Sequence, residues 1–157
     1  MLRISKMTDY ATVILAHLAD EGAGLKTAVE LADSSRLGVA TVSKVLKELH
    51  RAGLVTSIRG ARGGYALGRA AGSISAADII DAVEGPVGLT ECATHPGQCG
   101  LEGSCRVGHS WQRVNSAIRR ALADVSLTQL TGRDATSLAL ADLAIPLGAR
   151  PSVRARS

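Results

Sequence analysis

Phenylalanine is absent, and aromatic side chains make up only 2% of these 157 residues. A core without aromatic rings is filled by Leu, Ile, Val and Ala, which suit close-packed helices, so a mainly α chain is expected. No run of eighteen apolar residues occurs, so the pattern offers no transmembrane helix. Asp9 and Tyr10 interrupt the apolar stretch from Met7 to Leu18, and the start of the chain lacks the layout of a secretory signal. A cytoplasmic protein without a membrane partner is expected. Cysteine is scarce and odd in number, three in all, which argues against a disulfide framework in a chain long enough to bury a core without one. A nucleophile–base arrangement and a phosphate-binding loop are also missing, since Gly60 to Gly64 lacks the lysine and the following helix of a Walker motif. An enzyme is not expected.

What is present is unevenly spread. The chain carries a net +4, but Arg36 to Arg69 holds seven Lys/Arg against the single acid Glu48, a local +6. The remainder therefore sums to −2, and Ala71 to Glu91 has four acids and no base. A basic segment within a slightly acidic chain suits phosphate neutralisation, although a solvated basic face has the same composition.

The basic segment also has a recognisable layout. Met7, Tyr10, Ala11, Ile14, Leu15 and Leu18 recur at helical spacing over residues 5–20, with Asp9 near the N-terminal end, where the helix dipole favours a carboxylate. Gly22 and Gly24 stop that helix. Thr27 and Glu30 form a capping-box pattern for a short second helix that stops near Ser34, and about five residues later Val39 to Arg51 repeats the stripe through Val42, Val45, Leu46 and Leu49. Two short helices in this order form a helix-turn-helix. Its second helix would present Ala40, Thr41, Ser43 and Lys44 to a major-groove floor, and Lys47 and Arg51 to phosphates. Val55, Ser57 and Arg59 alternate as a strand, Gly60 to Gly64 supplies a turn in which Gly63 and Gly64 can take positive φ at no steric cost, and Tyr65 to Leu67 returns. The small tip lets Arg59 and Arg62 approach a minor groove. The expected fold is mainly α, a winged helix-turn-helix with a two-stranded β wing and a long C-terminal dimerisation helix.

Ser75 to Asp78 is another capping box, and Gly85-Pro86 ends the acidic helix that follows. From about Val107 to Val125, Trp111, Val114, Ile118 and Leu122 recur at three and four residues, predicting a helix of about 19 residues. Its apolar stripe would be buried by the same helix of a second chain, so a homodimer through residues 107–125 is expected. Three segments follow: 1–70 for DNA binding, 71–131 for the cysteine loop and dimer helix, and a flexible tail over 132–157, with one amphipathic turn between Ser137 and Ile145.

All three cysteines lie in the irregular stretch from Glu91 to His109, with two histidines and several glycines. Cys92, Cys99 and Cys105 are separated by six and five residues, wider than the gaps that usually pair cysteines on a structural zinc. A loop of this kind can drape around a larger inorganic core, and Cys105 stands just before the long helix, whose dipole favours ligation by an anionic sulfur. Metal binding, a zinc-stabilised module and a thiol-redox device all remain open on spacing alone.

The opening Met-Leu-Arg-Ile-Ser-Lys-Met-Thr-Asp-Tyr-Ala, the segment Lys-Glu-Leu-His-Arg-Ala-Gly-Leu-Val, the wing Arg-Gly-Ala-Arg-Gly-Gly-Tyr-Ala-Leu, the helix Ile-Ile-Asp-Ala-Val-Glu-Gly and the three-cysteine loop together resemble the Rrf2 family of winged-helix transcription regulators. The likeness is greatest to the branch that regulates an iron-sulfur assembly operon. The resemblance implies a homodimer, probing a double-stranded DNA operator with Arg59, Arg62, Gly63, Gly64 and Tyr65 of the wing as well as the reading helix. It also implies an iron-sulfur cluster, [2Fe-2S] or [4Fe-4S], held by Cys92, Cys99 and Cys105. For the fourth ligand the candidates are, in order, Asp9 from the partner chain, as in the nitric-oxide-sensing branch, then His109, then His95. Three residues separate Cys105 from His109, a departure from the family's spacing. The expected function is a cluster-sensing repressor of iron-sulfur assembly genes.

Overall fold

The computed structural model describes residues 4–20, 24–90, 93, 97–100 and 104–133. Helix α1 (Lys6–Leu18) starts at Ser5, whose hydroxyl accepts the Thr8 N–H at 3.4 Å. Helix α2 (Ala28–Ser35) starts at the Thr27–Glu30 capping box, in which the Glu30 carboxylate takes the Thr27 N–H at 2.7 Å. It ends at Arg36 in the left-handed region, φ 56°. Helix α3 (Val39–Arg51) follows after only three residues, Arg36, Leu37 and Gly38, a tighter turn than the spacing suggested. The left-handed Arg36 reverses the chain abruptly, which is how the turn stays short.

Strands β1 (Val55–Ile58) and β2 (Gly64–Leu67) pair antiparallel, with Val55 opposite Leu67 and Ile58 opposite Gly64. Lys26 and Tyr65 exchange both backbone hydrogen bonds, at 3.0 and 2.8 Å, so the segment before α2 adds one bridge to the wing. Positive φ, open to Gly63 and Gly64 at no steric cost, is taken in this turn by Gly60, φ 119°. Crowding is the reason for the other two. A Cβ on Gly63 would lie 2.2 Å from the Ile58 carbonyl oxygen, and one on Gly64 would lie 2.9 Å from that of Lys26.

A 3₁₀ turn at Ala71–Ser73 leads to α4 (Ala76–Glu84), then come α5 (Gly108–Ala123) and α6 (Leu127–Leu130). The core is aliphatic throughout. Ile14 and Leu15 of α1, Leu31 of α2, and Val42, Val45, Leu46 and Leu49 of α3 are fully buried together with Ile74, Ile79 and Leu127. The core thus draws on residues from both sides of the wing. Each fully buried aliphatic side chain contributes on the order of 1.5–3 kcal/mol.

Helix α5 is shorter than the expected 19 residues: it has 16, about 24 Å at 1.5 Å per residue. Its end is set by competition from a neighbour. The Val125 carbonyl accepts the Ala76 N–H at 2.8 Å and Ser126 bridges Ser75, so the backbone leaves the helix to pair across the start of α4. Ser126 then caps α6 with Gln129. Helix α1 likewise covers Lys6–Leu18 rather than residues 5–20. No described helix is long and apolar enough to cross a membrane. The expected turn between Ser137 and Ile145 lies outside the described residues. Arg133, within the segment expected to be a tail, donates to the Ala19 carbonyl and the Asp20 carboxylate.

Candidate nucleic-acid interface and cysteine loop

Helix α3 divides sharply. Val42, Val45, Leu46 and Leu49 face the core at 0% exposure, while Ala40, Ser43, Lys44, Lys47 and Arg51 are exposed and Thr41 is half-buried. Arg59, Gly60, Ala61 and Arg62 at the wing tip are exposed too. Lys44, Lys47, Arg59 and Arg62 form no ion pair among the described residues. Other cations do: Arg51 meets Glu48 at 2.5 Å, Arg69 meets Asp78 at 2.9 Å, and Arg119 meets Asp81 at 2.5 Å. Charge left without an internal partner is free to neutralise phosphate. Arg51 is therefore the weakest phosphate candidate of the set, being already paired.

The wing is fastened to the reading helix. His50 Nε2 stands 3.3 Å from Ser57 Oγ, linking α3 to β1. Tyr65, half-buried, packs against the core through its ring. Its backbone holds Lys26, and Gly64 gives the close approach this needs. The basic sequence pattern carried no sign of the His50 contact. Arg36, counted in the basic segment but given no contact role there, is exposed at the turn of the two helices without an ion pair among the described residues.

The acids of α4 each bond to another element while remaining partly open to solvent. The Asp78 carboxylate accepts the Ser75 N–H at 2.8 Å and pairs with Arg69 at the foot of the wing. Burial opposes its ionisation, but the Ser75 N–H and hydroxyl and the Arg69 guanidinium outweigh that and hold the carboxyl below its ordinary range. Asp81 binds Arg119 of α5 through both of its oxygens. Glu84 accepts the Thr8 hydroxyl and the Ser5 N–H, the latter at 2.9 Å, and those two bonds hold its carboxyl low. One nine-residue helix thus ties together the wing, the long helix and the start of α1.

Cys99 and Cys105 are half-buried and neither forms a disulfide among the described residues. Cys105 sits against the start of α5: a Cβ on Gly108 would lie 3.5 Å from its Sγ. The N-cap residue of that helix, Val107, makes no side-chain cap hydrogen bond. His109 is exposed in the first turn of α5, and Asp9 is exposed in the first turn of α1. Cys92 and His95 lie outside the described residues. Among the described residues no three His, Cys, Asp or Glu side chains of one chain converge closely enough to hold a metal ion, so Asp9, Cys99, Cys105 and His109 are not brought together within a single chain. Two half-buried cysteines, one of them beside the start of α5, offer soft sulfur donors of the kind that iron or zinc takes.

Residues 4–133 match the family model Rrf2, described as an iron-dependent transcriptional regulator. The HTH-type transcriptional regulator CymR of Bacillus subtilis is 32% identical over 130 residues, spanning 82% of this chain and 89% of its own. The solved structure of that protein, the global cysteine regulator of its organism, superposes with a TM-score of 0.64 at 31% identity, over 85% of this chain and 99% of the other. The regulator IscR of Citrobacter koseri is 27% identical over 132 residues, 82% of this chain and 79% of its own. The T. potens IscR structure gives a TM-score of 0.60 at 26% identity, over 88% and 93% of the two chains. The free cations of α3 and the wing, the mostly helical winged fold and these matches agree: the chain belongs to the Rrf2 family of DNA-binding transcriptional regulators.

Proposed function

We propose that this regulator senses an iron-sulfur cluster and represses iron-sulfur assembly genes as a homodimer. The carrying observation is Cys105, half-buried beside the start of α5, on the loop that also bears Cys99 and, in sequence, Cys92. The family's description as iron-dependent supports the same reading. Cys92, Cys99 and Cys105 would hold the cluster, with Asp9 of a second chain, or else His109, as fourth ligand. A cluster with one oxygen or nitrogen ligand supplies a centre readily lost to oxidation, which suits a sensor.

The rest is carried by this chain's own residues. Ala40, Thr41, Ser43 and Lys44 of α3 would meet base edges; Lys47 and Arg51 would meet phosphates; Arg59 and Arg62, with Gly63, Gly64 and Tyr65 shaping the wing, would meet the minor groove. In this account residues 1–70 serve DNA binding and 71–131 serve sensing and dimerisation. Dimerisation is supported by α5, which has no buried residue and leaves Trp111 and Val114 nearly half exposed. Ion pairs from α4 to Arg119 and to Arg69 give a physical route from the loop's helix to the wing.

A second reading is favoured by the cysteine regulator CymR: the thiols respond to oxidation without a metal. Anaerobic purification separates the two. Visible absorption that oxygen bleaches, together with iron and acid-labile sulfide, is the result for a cluster. A colourless protein with a reversible disulfide supports the thiol reading, and one zinc per chain supports a structural site.

A further inference from the structure

Helix α3 keeps one large apolar side chain out of the core. Val42, Val45, Leu46 and Leu49 are all at 0% exposure, yet Val39, in the first turn, is 46% exposed. Ala40 beside it is also exposed, and Thr41 adds a half-buried methyl and hydroxyl. The tip of the helix has no other chemistry. Gly38 at the N-cap brings no side chain, and from Val39 to Ser43 there is no Arg, Lys, Asn, Gln, Asp or Glu. Those are the residue types that read a base through paired hydrogen bonds. The first charged group, Lys44, stands more than one turn in.

A reading helix presents its N-terminal residues to base edges. In the major groove the one apolar feature of a base pair is the thymine 5-methyl group. Resting on the proposed docking of α3, we propose that Val39 and Ala40 select thymine at the half-site positions under the helix tip through contact with that methyl. Val39 is a specificity-determining residue, and binding transfers its exposed surface from water onto the base. Ser43 and Thr41 hydroxyls accept or donate single bonds that any base can meet, so discrimination at the tip rests on the methyl contact.

The test uses the full-length protein and an operator selected from a random pool of duplex DNA. Each thymine of one half-site is replaced in turn by deoxyuridine, which removes the methyl and nothing else. Wild-type protein is expected to lose about three- to fourfold in affinity at one or two positions, the worth of roughly one buried methyl. Val39→Ala, an exposed change that a thermal melt will show to be folded, is expected to bind thymine and uracil versions of that site alike. No loss on uracil substitution, or an unchanged thymine-to-uracil ratio in Val39→Ala, overturns the proposal. Lys44→Ala and Lys47→Ala report on the docking itself: weakened binding with no uracil effect defeats only the methyl contact, whereas unaltered binding defeats the docking and the proposal together.

Discussion

Gly63 shows how narrowly one atom can be excluded. With the Ile58 carbonyl 2.2 Å from where its Cβ would stand, Gly63→Ala must open the hairpin. The expected cost is about 1–3 kcal/mol in a urea titration, together with weaker DNA binding because Arg59 and Arg62 lose their setting. Arg36 is the opposite case. A non-glycine residue in the left-handed region is strained, so Arg36→Gly should stabilise by about 0.5–1 kcal/mol, after the glycine's own entropy is set against the relief. A lower denaturation midpoint would mean that the arginine side chain holds the turn in a way its exposure hides. Sequence patterns told of a glycine-rich tip but not which glycine bends and which merely makes room. That distinction depends on the partner strand and on Lys26, both distant in the chain.

Helix α4 holds the molecule's elements in register through Asp78, Asp81 and Glu84. For Asp78 and Glu84 the folded carboxyl is held lower than its unfolded counterpart. The unfolded chain then binds more protons, so this stabilisation is present above the ordinary carboxylate value and is lost as pH falls through the lowered folded value. Stability measured by denaturant should be level near neutrality and fall in acid, and Glu84→Gln should flatten part of that fall. Thr8→Val removes the hydroxyl from the same carboxylate and should cost about 1–2 kcal/mol. At α5, Trp111→Glu should shift the protein toward monomer in sedimentation without lowering the thermal midpoint, since Trp111 is 45% exposed in the single chain. Capping boxes at Thr27 and Ser75 made the starts of two helices legible, because a cap is a local signal. The end of α5 was over-read by periodicity. Val125 fits the apolar stripe, but its carbonyl is taken by Ala76, a contact across some fifty residues that no local pattern encodes.

Taken whole, the chain sets an exposed basic head on an aliphatic core and suspends a cysteine loop between α4 and α5. The head was readable because charge and amphipathic spacing coincide over residues 36–69. The cysteine loop was readable as composition and by resemblance. Its ligand set was not, since among the described residues Asp9, Cys99, Cys105 and His109 do not converge within one chain. Binding to operator DNA should weaken with salt, and Lys47→Ala should lower the slope of log affinity against log salt by about 1. The proposed coupling of loop to head is tested most directly by one titration: operator affinity of the anaerobically purified protein, measured before and after oxygen bleaches its visible absorption. A change of roughly tenfold or more in affinity, absent in Cys105→Ala, is the expected result. Equal affinity before and after bleaching, or protein that never carries the absorption, would contradict cluster sensing.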